Sequence, residues 1–281
     1  MKKETPFKYI FLLTLVLLSH VEGRDCDNPT DYTRPRYSRS AKTLFYQNKA
    51  PCPIYTKDIP SGGPLIPKII HQIWLGGKLP EKFVWMTESW RKKHPTWKYI
   101  LWTDKDIEEL HLINQKQFDE ATNFGVKADI LRYEILEKYG GVYVDIDYEC
   151  LKNLDQLHYN TEFYCCYIDD NAISNAFIGC KAHHPLLQIC VKRIIHTNAK
   201  ITDFDDIMDS FGPWFFTRCV LDYWMLTADK SMRMYEPQFS FPMPSGRRFD
   251  YWSGKISNSE LEIYRNSPSF ALHYWATSWQ N

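Results

Sequence analysis

The sequence predicts an α/β fold on a mainly parallel central sheet, and three stretches carry that prediction. Lys68–Leu75 is a mostly apolar run closed by Gly76-Gly77, the pattern of a strand buried on both faces. A helix-spaced segment and a second strand follow at short joints, which begins a βαβ unit. Further on, a periodic helix stops at Gly140-Gly141 and gives way to Val142-Tyr-Val-Asp-Ile146, the expected central strand.

Taken in order, residues 81–93 place Phe83, Val84, Met86 and Trp90 at near-helical spacing and end at His94-Pro95. Trp97 to Trp102 reads as a strand, and Asp104 is suited to cap a helix beginning at Lys105. Residues 125–138 carry Ile130, Leu131, Ile135 and Leu136 on and around an apolar stripe. Strands are expected at Phe163–Ile168 and Ala176–Cys180, and a helix with Pro at its first turn at Pro185–His196. Gly212-Pro213 precedes another helix, from Trp214 to Leu226. The last 40 residues read as loop-rich and aromatic, without internal repeats.

At 281 residues and 44% hydrophobic content, the chain can bury a sizeable core as one large domain, expected over residues 67–281. Residues 24–66, rich in Pro, Tyr, Arg, Asp and Ser, are expected to form an irregular extension before it. A formal net charge of zero leaves no global field to hold nucleic acid or an anionic membrane surface, so any phosphate binding is local.

The N-terminus combines Lys2, Lys3 and Lys8 with an uncharged run from Tyr9 to Val21 and a small residue at Gly23. Residues 1–23 thus resemble a secretory signal peptide, or a short signal-anchor giving a type II membrane-anchored form. The expected location is the lumen of the secretory pathway (ER or Golgi) or outside the cell. Among eight cysteines, Cys26 with Cys52 is the preferred disulfide, and most of the other six are expected as buried free thiols.

The chemistry centres on Asp145 and Asp147. Side chains alternate along an extended segment, so an Asp-x-Asp pair leaving a strand aims both carboxylates the same way. Two such oxygen donors suit a hard divalent cation and the phosphates it carries. The preceding helix carries Asp129 and Arg132 at i and i+3, hence on one face: either an intrahelical ion pair or a polar clamp near the same strand end. Asp169-Asp170-Asn171, after the strand at 163–168, reads as a solvated turn or as a carboxylate that could meet a substrate hydroxyl.

Four motifs in order, Ile66-Pro-Lys-Ile-Ile-His-Gln-Ile-Trp74, Lys127-Ala-Asp-Ile-Leu-Arg-Tyr133, Gly140-Gly-Val-Tyr-Val-Asp-Ile-Asp147 and His273-Tyr-Trp-Ala-Thr-Ser-Trp279, resemble glycosyltransferase family 32. That family joins initiation mannosyltransferases and inositolphosphoceramide mannosyltransferases through a DXD sugar-binding region. The resemblance covers roughly residues 66–279 and implies a GT-A fold. It implies hexose transfer, mannose first, from a nucleotide-sugar donor (GDP-mannose or a UDP-hexose) to a glycan or glycolipid hydroxyl, with retention and with Mn²⁺ or Mg²⁺.

Carried onto this sequence, the resemblance makes Asp147 the firmer metal ligand and Asp145 a contact to donor ribose or sugar. It makes His273 a group completing the metal or diphosphate site, and Ser278 and Trp279 donors to diphosphate oxygens. Trp74 matches the position beside the nucleobase, where an indole can stack, and Asp129 and Arg132 match contacts to donor sugar and ribose. His71 is expected to point into the interior, and the aromatic segment 239–252 to shape the acceptor site. A glycoside hydrolase is the poorer reading, because its two carboxylates must flank the scissile bond. A catalytically inactive carbohydrate-binding module of the same fold is the alternative.

Overall fold

The protein is described here by a computed structural model covering residues 49–54, 63–170 and 172–277. Residues 1–23, Cys26, Asn171, Ser278 and Trp279, for which expectations were stated above, lie outside the described residues.

Three strands and their connections set the architecture. Strand β2 (Ile69–Ile73) leads through helix α1 (Glu81–Lys93) to β3 (Lys98–Trp102), which pairs parallel to β2. The chain then passes α2 (Asp104–Ile107), α3 (Gln115–Glu120) and α4 (Phe124–Tyr139), and returns as β4 (Gly141–Val144) on the other side of β2. The crossover direction therefore reverses between β2 and β4. In an open α/β sheet, the crevice beyond the carboxyl ends at such a reversal is where ligands bind. Trp74 follows β2 and Asp145 follows β4 at that edge.

The sheet has seven strands among the described residues, in the order β1-β8-β6-β7-β4-β2-β3. β7 (Phe177–Cys180) runs antiparallel to both β4 and β6 (Phe163–Cys166), while the other pairings are parallel, so the sheet is mainly parallel as expected. β1 (Lys49–Ala50), within the stretch expected to be irregular, forms one edge beside β8 (Met232–Tyr235). The Met-Arg-Met-Tyr sequence of β8 is too short to show a strand period.

α4 is buried on nearly all sides rather than along one stripe, because it lies between the sheet and the helices α5 (Pro185–Ile194) and α7 (Pro213–Thr227), which the short α6 (Phe204–Ser210) separates in the chain. Asn123 Oδ1 caps its start by accepting the N–H groups of Gly125 (2.7 Å) and Val126 (3.3 Å). Its end needs glycine twice. Gly140 has φ 59°, and a Cβ there would lie 2.4 Å from the Ala182 nitrogen; Gly141 has φ 94°, and a Cβ there would lie 2.6 Å from the Ile69 carbonyl oxygen. The pair lets β4 leave the helix and close against β2 at once.

Two local expectations are corrected. The α2 N-cap is Thr103, whose N–H (2.7 Å) and hydroxyl (2.6 Å) donate to Asp106. Asp104 instead accepts the N–H groups of Gly76 and Gly77 and fixes the turn after β2. The last 40 residues are also more regular than expected. They contain α8 (Arg248–Trp252), α9 (Asn258–Arg265) and β9 (Ala271–His273), and β9 pairs antiparallel with β5 (Tyr148–Cys150). The described cysteines are all free thiols, and all but the half-buried Cys52 are buried.

Three buried histidines brace the layers as neutral rings. His71 accepts from Trp102 Nε1 (3.1 Å) and reaches the Gly140 carbonyl (2.9 Å), so it does point inward. His94 accepts the Leu154 N–H (2.9 Å), and His158 lies 2.9 Å from the Ile66 carbonyl. Burial pushes His71 and His94 down to about 4 and His158 to about 3, from 6.5.

These shifts fix a pH dependence. Below pH 6.5 the unfolded chain binds protons that the folded chain refuses, so stability is full above that pH and is lost as pH falls towards 4. Each histidine is expected to cost about 1.4 kcal/mol per pH unit in that window. Melting curves from pH 7.5 to 4.5 check this, and a flat profile contradicts it. In the same assay, Gly140→Ala is expected to lose at least about 2 kcal/mol.

Candidate functional site

The site grows from one buried cation. Arg132 on α4 is held on every nitrogen. Nε donates to the Ala128 carbonyl (3.4 Å), Nη1 to the Asn175 carbonyl (2.8 Å), and Nη2 lies 3.0 Å from Asp129 and 3.3 Å from Asp145. Its guanidinium also sits 4.6 Å from the centre of the Tyr143 ring. The i, i+3 pair on α4 is thus an intrahelical ion pair and a clamp at once, extended across to β4.

Asp129 is 7% exposed and accepts a second bond from the Asn175 amide (2.8 Å). Burial pushes its carboxyl up to about 7 against the pull of Arg132. Burial alone would lower the Arg132 pKa, but Asp129 and Asp145 outweigh it and keep the guanidinium charged.

Asp145 and Asp147 stand in the turn directly after β4. Tyr143, two residues earlier on the same strand face, donates its hydroxyl to Asp145 (2.6 Å). The Asp145 carbonyl accepts from Gln72 (3.0 Å), which is itself held by the Tyr99 hydroxyl (2.5 Å). Asp147 is nearly buried, and its Oδ2 accepts the Ala276 N–H (2.6 Å) while Oδ1 lies 3.1 Å from His273 Nε2. Trp275 and Thr277 flank Ala276 in the left-handed region (φ 53° and 44°), a costly backbone shape that turns this N–H onto the carboxylate.

The two carboxylates are driven in opposite directions. Burial raises the Asp145 pKa, with the charge of Asp147 adding to the push and Arg132 opposing it. Burial also opposes ionisation of Asp147, but the His273 imidazole and the Ala276 N–H outweigh it and hold its pKa below the ordinary value. Asp147 is thus the more readily ionised carboxylate of the pair.

His273 completes the group. Its ring is stacked on Tyr148 (4.3 Å, 5° between planes), with Trp275 at 4.3 Å on a tilt. Its Nδ1 is buried without a hydrogen-bond partner among the described residues. One ligand atom each from Asp145, Asp147 and His273 lie within 4.8 Å of one another. The 3.1 Å between Asp147 Oδ1 and His273 Nε2 is near the roughly 3 Å between neighbouring ligands of an octahedral ion with bonds of about 2.1 Å. Two carboxylates and one imidazole form a donor set that fits a divalent ion of the manganese type.

These groups face a cleft of about 550 Å³, which Trp74, Asp129 and Arg132 also line. Trp74 is tilted on Phe83 (5.5 Å) with its indole N–H buried and without a partner among the described residues, so the ring rather than the N–H is what it offers. Asp169 lines the same cleft, while Asp170 turns away to Lys49 (2.5 Å). Phe241, Ser245 and Arg248 bring the segment expected at an acceptor site to the same cleft.

Several residues of the site went unremarked in the sequence. Tyr143 was legible, since it shares a strand face with Asp145. Asn175, Gln72, Tyr148 and Ala276 act through contacts between segments far apart in sequence, which no local pattern reveals.

The chain resembles known proteins in three ways. The family model for the glycosyltransferase sugar-binding region containing a DXD motif matches residues 80–164. Inositol phosphoceramide mannosyltransferase 2 of Schizosaccharomyces pombe is 36% identical over 162 residues, 54% of this chain and 46% of that protein. Inositol phosphoceramide mannosyltransferase 1 of the same yeast is 30% identical over 219 residues, 73% of this chain and 67% of that protein. The chain spans about half the length of the first of these relatives. Among solved structures, the PaToxG glycosyltransferase shares the fold at a TM-score of 0.50 and 16% identity, over 73% of this chain and 89% of that one. The α/β architecture is of the GT-A type.

The clamp is testable by itself. Arg132→Met is expected to cost about 3–5 kcal/mol by leaving Asp129 buried without its cation. Adding Asp129→Asn is expected to recover part of that loss, and strict additivity of the two in denaturant unfolding contradicts the coupling.

Proposed function

The chain belongs to the family of glycosyltransferases with a DXD sugar-binding region, and from that premise we propose that it transfers a hexose from a nucleotide-sugar donor to an acceptor hydroxyl with a divalent metal ion. The observation that carries this reading is the meeting of Asp145, Asp147 and His273 at the carboxyl edge of the sheet, inside a cleft large enough for a sugar nucleotide.

In this reading Asp147 and His273 hold Mn²⁺ or Mg²⁺, and Asp145 shares the ion or the donor's ribose and sugar. When bound, the ion supplies positive charge to a diphosphate on which negative charge grows as it leaves. Trp74 offers a flat face to the nucleobase. Asp129, 7% exposed at the cleft wall, orients sugar hydroxyls, while Arg132 has no nitrogen left over and acts by holding Asp129 and Asp145 in place. Ser278 and Trp279 are assigned to the diphosphate by the motif they complete.

Mannose from GDP-mannose is the donor proposed first, from the names of the relatives, with a UDP-hexose second and a glycan or lipid hydroxyl as acceptor. Retention at the transferred carbon is proposed with it, a course that needs no dedicated protein base. Residues 1–23 are proposed as the leader or anchor that brings residues 67–281 to the secretory pathway. No helix among the described residues is long and apolar enough to cross a membrane.

Transfer or hydrolysis of GDP-mannose and UDP-hexoses, followed with Mn²⁺ and with EDTA, tests the reading. Asp147→Asn is expected to lower turnover at least about 100-fold while the melting temperature stays within a few degrees. Undiminished turnover by this variant in EDTA overturns metal-dependent transfer.

A further inference from the structure

The charges on the cleft wall do not suffice for the substrate just proposed. Among the described residues its carboxylates are Asp129, Asp145, Asp147 and Asp169, and its permanent cations are Arg132 and Arg248. A sugar nucleotide adds a diphosphate to this acidic cleft, and one divalent ion is offset by Asp145 and Asp147 alone. Arg132 is already committed on all three nitrogens. The other cation is uncommitted: the guanidinium of Arg248 rests 4.6 Å from the Phe249 ring and has no carboxylate partner among the described residues.

Its surroundings hold it there. Arg247, next in the chain, is bound to Asp250 (3.0 Å) and Glu260, which fixes the turn leading into α8. Trp275 Nε1 donates to the Met243 carbonyl (3.0 Å), and Trp252 Nε1 to the Tyr274 carbonyl (2.8 Å). The segment carrying Arg248 is therefore stitched at both ends to residues 274–275, which adjoin His273 and the N–H that grips Asp147. An unpaired guanidinium tied to the metal end of the cleft is matched in charge and geometry to phosphate oxygens.

We propose that Arg248, on the wall of the cleft that also holds Asp145 and Asp147, binds the donor's diphosphate and so supplies the positive charge that the carboxylates take from the metal ion. The proposal rests on the sugar-nucleotide reading above. It makes Arg248 a contact for the leaving group, separate from the clamp at Arg132.

Binding decides it. Wild type, Arg248→Ala and Arg248→Lys are titrated with GDP and with UDP in Mn²⁺, and with guanosine and uridine, which lack phosphate. For the nucleoside diphosphate that wild type prefers, Arg248→Ala is expected to bind about 10- to 100-fold more weakly. Arg248→Lys is expected to fall between, and nucleoside binding to stay unchanged. Diphosphate binding by Arg248→Ala equal to wild type overturns the proposal and leaves the glycosyltransferase reading standing. Equal weakening of diphosphate and nucleoside also overturns it, because the side chain then acts on the shape of the cleft. Failure of wild type to bind either diphosphate removes both the proposal and the reading beneath it.

Discussion

A charged guanidinium, 5% exposed, sits between a helix and the end of a strand, and the candidate site is built outward from it. Removing Arg132 from water is tolerable because every nitrogen has an acceptor: two backbone carbonyls and two carboxylates. Those acceptors come from α4, from the turn after β4 and from Asn175, two residues before β7, so one ionic centre ties three elements at the edge where the crossover reverses. Asn175 does double duty, giving its carbonyl to Arg132 and its amide to Asp129 and the Tyr133 hydroxyl. The network leaves Asp129 and Asp145 lining the cleft with fixed orientation.

The asymmetry of the Asp-x-Asp pair follows from its second neighbours. Asp147 is gripped by a backbone N–H and an imidazole from the far end of the chain, whereas Asp145 meets a tyrosine hydroxyl and a shared guanidinium. The two carboxylates stand two positions apart in sequence and differ in their whole electrostatic surroundings. The left-handed backbone at Trp275 and Thr277 is the strain that this grip requires, offset by the aromatic packing of Phe241, Tyr148 and Trp275 around His273.

Much of this was legible in the sequence where the signal was periodic or local. The run ending at Trp74, the glycine stop at 140–141 and the Asp129–Arg132 spacing gave β2, β4 and the clamp, because burial on both faces and φ above zero leave compositional marks. The failures have physical reasons too. Asp104 has the propensity of a cap, yet Thr103 caps through Asp106, and Asp104 is drawn to the glycine N–H groups after β2. β8 is short and owes its existence to β1 and β6, partners distant in the chain, so no window of sequence announces it. Arg132, expected from the resemblance at a contact to the donor, also ties Asp129, Asp145 and Asn175 together, which its spacing from Asp129 alone does not reveal.

One consequence of the β5–β9 pairing concerns the order of assembly. His273 closes on Asp147 across 126 residues of chain, and the sheet with its first two carboxylates can form long before that partner exists. During synthesis, the nascent polypeptide would carry a folded nucleus with an unfinished acidic pocket until residue 276 leaves the ribosome. The acidic pocket is therefore completed by a segment distant in the chain, whose Leu272 and Tyr274 are also buried in the core, so pocket and packing are finished together.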